Sequence, residues 1–230
     1  MTTILITGAS GSIGKEILEF FSNNNNYKIF ALINDNVNLK KSKNIVFINC
    51  RIEELINLNF NFPRIDYIFH LAFPNSNKNL SKIIINKEIN KNKLFLKFIN
   101  KISVKNIIYF STAKIAIIKD KKNKNNINNF SYEICKYQIE NIFRKDLNQK
   151  NKLIILRIGV VFGLKNKSNF NLLVDYIKKY KFLPTRKKKI YKNLIYIKNL
   201  NNCLENIVKS KNHKDMYFLY DSNIDLNNLI

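Results

Sequence analysis

Glycine is scarce in this chain: five in 230 residues, with three prolines and no tryptophan. The three cysteines, Cys50, Cys135 and Cys203, stand far apart with no C-x-x-C pair. That argues against a disulfide framework or a zinc site and suits a reducing compartment. No apolar run approaches the roughly 18 residues that a membrane span needs. The chain opens on Thr2-Thr3-Ile4-Leu5-Ile6-Thr7, not on a basic stretch leading into an apolar one. A soluble, unexported, cytoplasmic protein is expected. Acidic residues are few as well, 16 Asp and Glu against 40 Lys and Arg, for a net charge of +24.

What is present is enough for a core. The chain is 46% hydrophobic and 12% aromatic, which argues against disorder in its bulk, and its length suits a single α/β domain. Its basicity has a compositional origin. There are 40 Asn, 37 Ile and 35 Lys against five Ala and five Gly, the signature of A/T-rich codons. The lysines scatter, apart from residues 119–124 and Arg186-Lys187-Lys188-Lys189. A solvated surface is therefore favoured over a polyanion-binding stripe, and nucleic acid is not the expected partner.

Against that background the glycines are informative. Gly8, Gly11 and Gly14 lie within seven residues, and Gly159 and Gly163 follow one strand-like run. The run Ile4–Ile6 reads as a buried strand, and from Ser12 the apolar residues Ile13, Ile17 and Phe20/Phe21 recur at helical spacing. Further strands are expected at Tyr27–Ile33, Ile45–Ile48, Ile65–Leu71, Asn106–Phe110 and Leu153–Leu156, with helices over Leu80–Lys101 and Tyr132–Leu147. Alternating strand and helix predict a Rossmann-type doubly wound parallel sheet. After Gly163 the pattern changes: a helix around Leu172–Tyr180, a basic turn with Pro184, a strand at Leu194–Ile197, a helix face from Leu200 to Val208 and a strand at Met216–Tyr220. The expected organisation is a dinucleotide-binding unit over residues 1–163 and a small C-terminal substrate lobe over 164–230. The Asn/Lys-rich stretch 119–129 reads as a loop.

Thr7-Gly8-Ala9-Ser10-Gly11-Ser12-Ile13-Gly14 joins the first strand to the first helix. Gly8 suits a tight turn, Gly11 a close approach of pyrophosphate to the backbone, and Gly14 close packing of helix on sheet. The helix N-terminus then offers free N–H groups to an anion. Glu16 after Lys15, and the spacing, exclude a Walker loop.

This loop resembles that of the extended short-chain dehydrogenases/reductases, the NAD-dependent epimerase/dehydratase family. Other segments match in order: Asp66-Tyr67-Ile68-Phe69-His70-Leu71-Ala72, Asn90 in the long helix, Tyr109-Phe110-Ser111-Thr112-Ala113, Tyr132-Glu133-Ile134-Cys135-Lys136, and Leu156-Arg157-Ile158-Gly159-Val160-Val161-Phe162-Gly163. The resemblance implies that Gly8, Ser10, Gly11, Ser12, Ile13, Gly14, Leu71 and Ala72 border the cofactor. It also implies that Tyr132 exchanges a substrate proton while Lys136 holds the nicotinamide ribose. Thr112 would hydrogen-bond the substrate oxygen, with Ser111 as neighbour or substitute. Physically, Tyr132 and Lys136 share a helix face, and a nearby ammonium favours the phenolate.

The sequence also departs from the family. Ile115-Ala116-Ile117 replaces the usual Val-Tyr-Gly, and Cys50-Arg51 replaces a Gly-Asp that touches adenine. Ala113-Lys114 stands where dehydratases carry Asp-Glu, which disfavours dehydration. Asp35, 21 residues past Gly14, is the candidate for the cofactor's 2′-hydroxyl and favours NAD over NADP. His70 reads as structural or cofactor-adjacent, with no metal site. Arg186–Lys189 could face a substrate diphosphate or solvent. The resemblance implies an NAD(P)-dependent epimerase or 4-ketoreductase acting on a nucleotide-linked sugar, and it admits a homodimer. A non-catalytic dinucleotide-binding relative and a basic RNA-binding relative are the alternatives.

Overall fold

The computed structural model describes residues 1–34, 42–74, 80–116, 131–165, 169–180 and 191–225. Asp35, the 119–129 stretch, the Pro184 turn and Arg186–Lys189 lie outside them.

Alternation along the first strands sets the architecture. In β1 (Thr2–Thr7) and β2 (Tyr27–Ile33) the central residues are apolar toward both faces. Ile4, Ile6, Ile29, Ala31 and Ile33 enter one core, while Leu5, Phe30 and Leu32 enter another on the opposite face. A strand apolar on both faces must be covered on both, which is the condition for a buried parallel sheet. The first core is closed by α1 (Ser12–Ser22) and the second by α2 (Lys82–Lys101).

Five more strands complete the sheet: β3 (Ile45–Asn49), β4 (Ile65–His70), β5 (Val104–Thr112), β6 (Lys152–Ile158) and, far along the chain, β9 (Met216–Leu219). The order is β3-β2-β1-β4-β5-β6-β9, and every pairing is parallel. The reversal of direction between β1 and β4 is the crevice where doubly wound sheets take ligands, outside the carboxyl ends of the strands. A short 3-10 helix, Ile52–Asn57, follows β3. Next to β5 and β6 runs α3 (Tyr132–Asp146), with Cys135, Ile139 and Phe143 fully buried at helical spacing.

The remaining elements are β7 (Val160–Phe162), α4 (Asn169–Tyr180), β8 (Tyr191–Tyr196), α5 (Ile197–Lys209) and β10 (Ser222–Asp225). β10, β8 and β7 form a second, three-stranded sheet, and α5 packs into the α1 core through Leu200, Leu204 and Ile207. Strands change sheets across residue 163: β7 precedes it and lies in the small sheet, whereas β9 follows it and extends the main one. A β-carbon at Gly159 would sit 2.5 Å from the Asn193 carbonyl oxygen, so this glycine lets β8 close onto the end of β6. The strand expected at Leu194–Ile197 starts earlier, at Tyr191, and Ile197 already opens α5. Among the described residues no helix is long and apolar enough to cross a membrane.

Candidate active site

Parallel strands bring their carboxyl ends to one edge, so Thr7 and His70 end β1 and β4 side by side, and β5 runs three residues past His70's partner Tyr109 to Thr112. Gly8 turns the chain there with φ +73°, a backbone that side chains resist. A β-carbon on it would lie 2.8 Å from the Ala72 nitrogen. The turn and the Leu71-Ala72 segment are thereby packed together, and the Leu71 N–H donates to the Thr7 carbonyl at 3.2 Å.

The three loop glycines have different physical reasons. At Gly14 an added β-carbon would overlap the Gly8 carbonyl and come within 2.9 Å of the Ala9 Cα, so the protein itself forbids a side chain. Gly11 is different. Its backbone is extended (φ −70°, ψ 164°), and an added β-carbon would meet only the Gly8 oxygen, at 3.2 Å. Nothing in the fold demands a glycine there, and the space it leaves opens outward as a cradle. Gly11 is the N-cap of α1 and has no side chain to close it, and the first turn holds no carboxylate. By contrast α2 and α3 are closed by Ser81 and Ser131, whose hydroxyls accept from Ile84 and Ile134 N–H. The uncapped start, flanked by Ser10, Ser12 and Ile13, has its N–H groups available to an anion, and the residues present fit a dinucleotide pyrophosphate.

Behind the loop lies a buried polar chain. Asn92 Nδ2 donates to the Glu88 carbonyl at 2.8 Å, so its Oδ1 faces His70 and accepts from Nε2–H, also at 2.8 Å. His70 Nδ1 then accepts from the Thr7 hydroxyl at 2.7 Å, and Thr7 Oγ1 accepts the Ala72 N–H at 3.4 Å. Burial pushes the His70 imidazole down to about 3, so it stays neutral and fixes the β1 and β4 ends. Asn90, the asparagine singled out by resemblance, is solvent-exposed. Asn92, 1% exposed, occupies the buried position instead, because α2 turns residues 88 and 92 to the sheet.

From Ala72 the chain continues to Phe73, whose ring meets Tyr132 edge-on at 5.2 Å. Lys136 lies one turn after Tyr132 and is 3% exposed. Its Nζ donates to the Phe110 carbonyl at 2.8 Å and stands 4.2 Å from the Phe73 ring centroid and 5.9 Å from that of Tyr132. Thr112 is buried two residues beyond Phe110, and its Oγ1 accepts the Lys114 N–H at 3.4 Å.

Two expectations are corrected here. Burial dominates at Tyr132 and pushes its phenol up to about 12, with Glu133 and Cys135 adding to the rise, so Lys136 does not lower it in the protein alone. Lys136 bears the larger consequence, since desolvation brings its ammonium down to about 7 against the opposing pull of Cys135, Glu88 and Glu140. Ser111 is not a substitute for Thr112. Successive strand residues face opposite sides, and the Ser111 hydroxyl donates to Glu140 Oε1. Glu140 is itself held by Arg157 through two bonds, 3.1 Å from Nε and 2.6 Å from Nη2. This buried triad ties α3 to β5 and β6. No periodicity signals it, because its charges occupy core positions.

At Cys50-Arg51, the Arg51 N–H donates to Glu54 at 3.0 Å, so the pair starts the 3-10 helix. Among the described residues no group of His, Cys, Asp and Glu gathers as a metal-ligand cluster.

A family model, NAD dependent epimerase/dehydratase, matches residues 4–194. The chain belongs to that family. Its matched region runs from the glycine loop to β8 and so includes every site segment described above. Among curated proteins no sequence matches. Solved structures share the fold at low identity. UDP-glucuronic acid 4-epimerase from Bacillus cereus, solved with UDP-glucuronic acid and NAD, is 17% identical with a TM-score of 0.74, covering 98% of this chain and 80% of that one. WbmH from Bordetella bronchiseptica, in complex with NAD+, is 20% identical with a TM-score of 0.74, covering 99% and 78%. The NAD-dependent NDP-hexosamine 5,6-dehydratase TunA of tunicamycin biosynthesis is 15% identical with a TM-score of 0.71, covering 99% and 78%.

Proposed function

We propose that this family member is an NAD-dependent oxidoreductase acting on a nucleotide-linked sugar, as an epimerase or 4-ketoreductase, with Tyr132 as its acid/base group. One observation carries the reading. A continuous set of contacts runs along the carboxyl edge of the sheet, from the Gly8 turn through Ala72 and Phe73 to Tyr132, Lys136 and the Phe110 carbonyl. An open anion cradle, the half-buried Tyr132 and the buried Lys136 thus lie along one edge of the sheet.

In this reading the N–H groups of Ser12 and Ile13, over Gly11, hold the pyrophosphate, and Leu71-Ala72 lines the middle of the cofactor. Lys136 holds the nicotinamide ribose. Thr112 orients the substrate oxygen toward Tyr132. The NAD that these residues would hold would supply the hydride chemistry, and the positive charge of its oxidised form would favour the Tyr132 phenolate. Without that charge the phenol stays protonated at neutral pH and serves as a proton donor. Lys136, brought down to about 7, can itself exchange a proton in the working range.

The preference for reduction or epimerisation over dehydration rests on Ala113-Lys114 after Thr112. The substrate class rests on family membership and on the UDP-sugar of the similar structure. The test is calorimetry with NAD and NADP, followed by nucleotide sugars assayed with the bound cofactor. Tyr132→Phe should bind cofactor as the parent does and lose about 100- to 10,000-fold in turnover, the usual worth of a general acid/base. A fully active Tyr132→Phe enzyme on its true substrate sinks the mechanism.

A further inference from the structure

At the opposite edge of the sheet from this crevice, a cavity of about 860 Å³ opens among the amino-terminal ends of β1, β4, β5 and β6 and the chain leaving α5. Its wall is chemically one-sided. Five of the thirteen described residues that line it are lysines, where the chain's overall share would place about two, and Asp66 is the one carboxylate among them. Asp66 is committed elsewhere, since its Oδ2 accepts the Thr3 N–H at 2.9 Å. Lys209 pairs with Glu205 at 2.9 Å, and Lys152 donates to the His213 carbonyl. Lys105, Lys150 and Lys211 have no ion pair among the described residues and converge on the hollow.

We propose that this basic hollow is a second anion site, separate from the dinucleotide crevice, that takes a compact, multiply charged phosphate such as a polyphosphate or phosphorylated metabolite. A concave, predominantly basic wall concentrates anions from solution, and lysine meets phosphate as a mobile point charge. His213 registers the local field. Tyr67 gives its hydroxyl hydrogen to the Val208 carbonyl, so its oxygen accepts from His213 Nε2–H at 3.2 Å, and Nδ1 has no partner among the described residues. Burial, then Lys152 and Lys105, hold that imidazole below its ordinary value. An anion in the hollow would offset the two lysines. The wall also disfavours a single-stranded nucleic acid. Single strands are held by exposed aromatic platforms, and Tyr67, the one lining aromatic besides the His213 ring, is only 6% exposed and packed edge-on against that ring.

The experiment titrates the protein with inorganic tripolyphosphate at physiological ionic strength, by calorimetry and by NMR of the imidazoles. With only two histidines in the chain, buried His70 is the internal control. One-to-one binding should move the His213 resonances and raise its pKa while leaving His70 in place. Combined Lys105→Gln, Lys150→Gln and Lys211→Gln should weaken binding by about 3- to 150-fold, as loss of three exposed ion contacts predicts, with thermal unfolding unchanged. Gly11→Val should leave the His213 response intact. The proposal is overturned if sodium chloride at matched ionic strength reproduces the shift, if the triple variant binds as the parent does, or if Gly11→Val abolishes the response. Tighter binding of a single-stranded oligonucleotide at this face would overturn it in favour of a nucleic-acid surface.

Discussion

Replacing Gly11 and Gly14 by alanine, one at a time, separates a glycine kept for a ligand from one kept for the fold. At position 14 the new β-carbon overlaps the Gly8 carbonyl and lies 2.9 Å from the Ala9 Cα, both of them backbone. Overpacking of this kind costs about 1–3 kcal/mol, and the better helix propensity of alanine returns at most about 1 kcal/mol. The net loss of up to about 3 kcal/mol should lower Tm by up to about 12 °C in a chain of this size. At position 11 the backbone is already one that alanine adopts, and the Gly8 oxygen at 3.2 Å need give only slightly. Alanine is a poorer N-cap, so a loss of under about 1 kcal/mol is expected. Affinity should behave in the opposite way. A methyl group over the start of α1 holds a pyrophosphate off the N–H groups, and each charge-assisted hydrogen bond lost is worth about 1.5–3 kcal/mol. Gly11→Ala should therefore bind NAD about 10- to 100-fold more weakly, or worse, while melting close to the parent. Calorimetry and thermal unfolding read the two quantities independently. Parental NAD affinity in Gly11→Ala would refute the cradle, and a melting loss as large as that of Gly14→Ala would refute the steric account.

Other outcomes follow from the buried polar groups. His70, held near 3 when folded and near 6.5 when unfolded, binds fewer protons in the native state between those values. Its stability contribution is complete above pH 6.5 and falls with pH by up to about 1.4 kcal/mol per unit. Urea unfolding of His70→Gln should show a shallower acid slope than the parent, and identical slopes would contradict the assignment. Glu140→Gln leaves the Arg157 guanidinium buried without its counter-charge and should cost about 3–5 kcal/mol in denaturant unfolding. Ser111→Ala should lower stability by about 1.5–3 kcal/mol while keeping turnover, whereas Thr112→Val should lower turnover and keep stability. The reverse pattern would exchange their roles.

The sequence by itself determined the parallel sheet, because apolar residues on both faces of β1 and β2 can be buried only between two helical layers. It also determined the glycine loop and the Tyr132/Lys136 face, since both are local: one is a turn and the other a single helical repeat. The buried polar set was decided only by tertiary structure. Asn90 and Asn92 are equivalent in composition, and only the rotation of α2 on the sheet turns the second toward His70. Ser111 and Thr112 are neighbours in sequence, and only the docking of α3 gives Ser111 to Glu140 and Arg157. The proton affinity of Tyr132 was also beyond the sequence. Spacing brings Lys136 onto its face, but the sign of the shift depends on desolvation, which is the larger effect here and exists only once α3 has docked on the core with the ring against Phe73. The placement of β9 in the main sheet belongs to the same class, because pairing with β6 joins residues some sixty positions apart along the chain. Local chemistry is written in the order of residues, whereas burial, charge balance and long-range pairing arise only where distant segments meet.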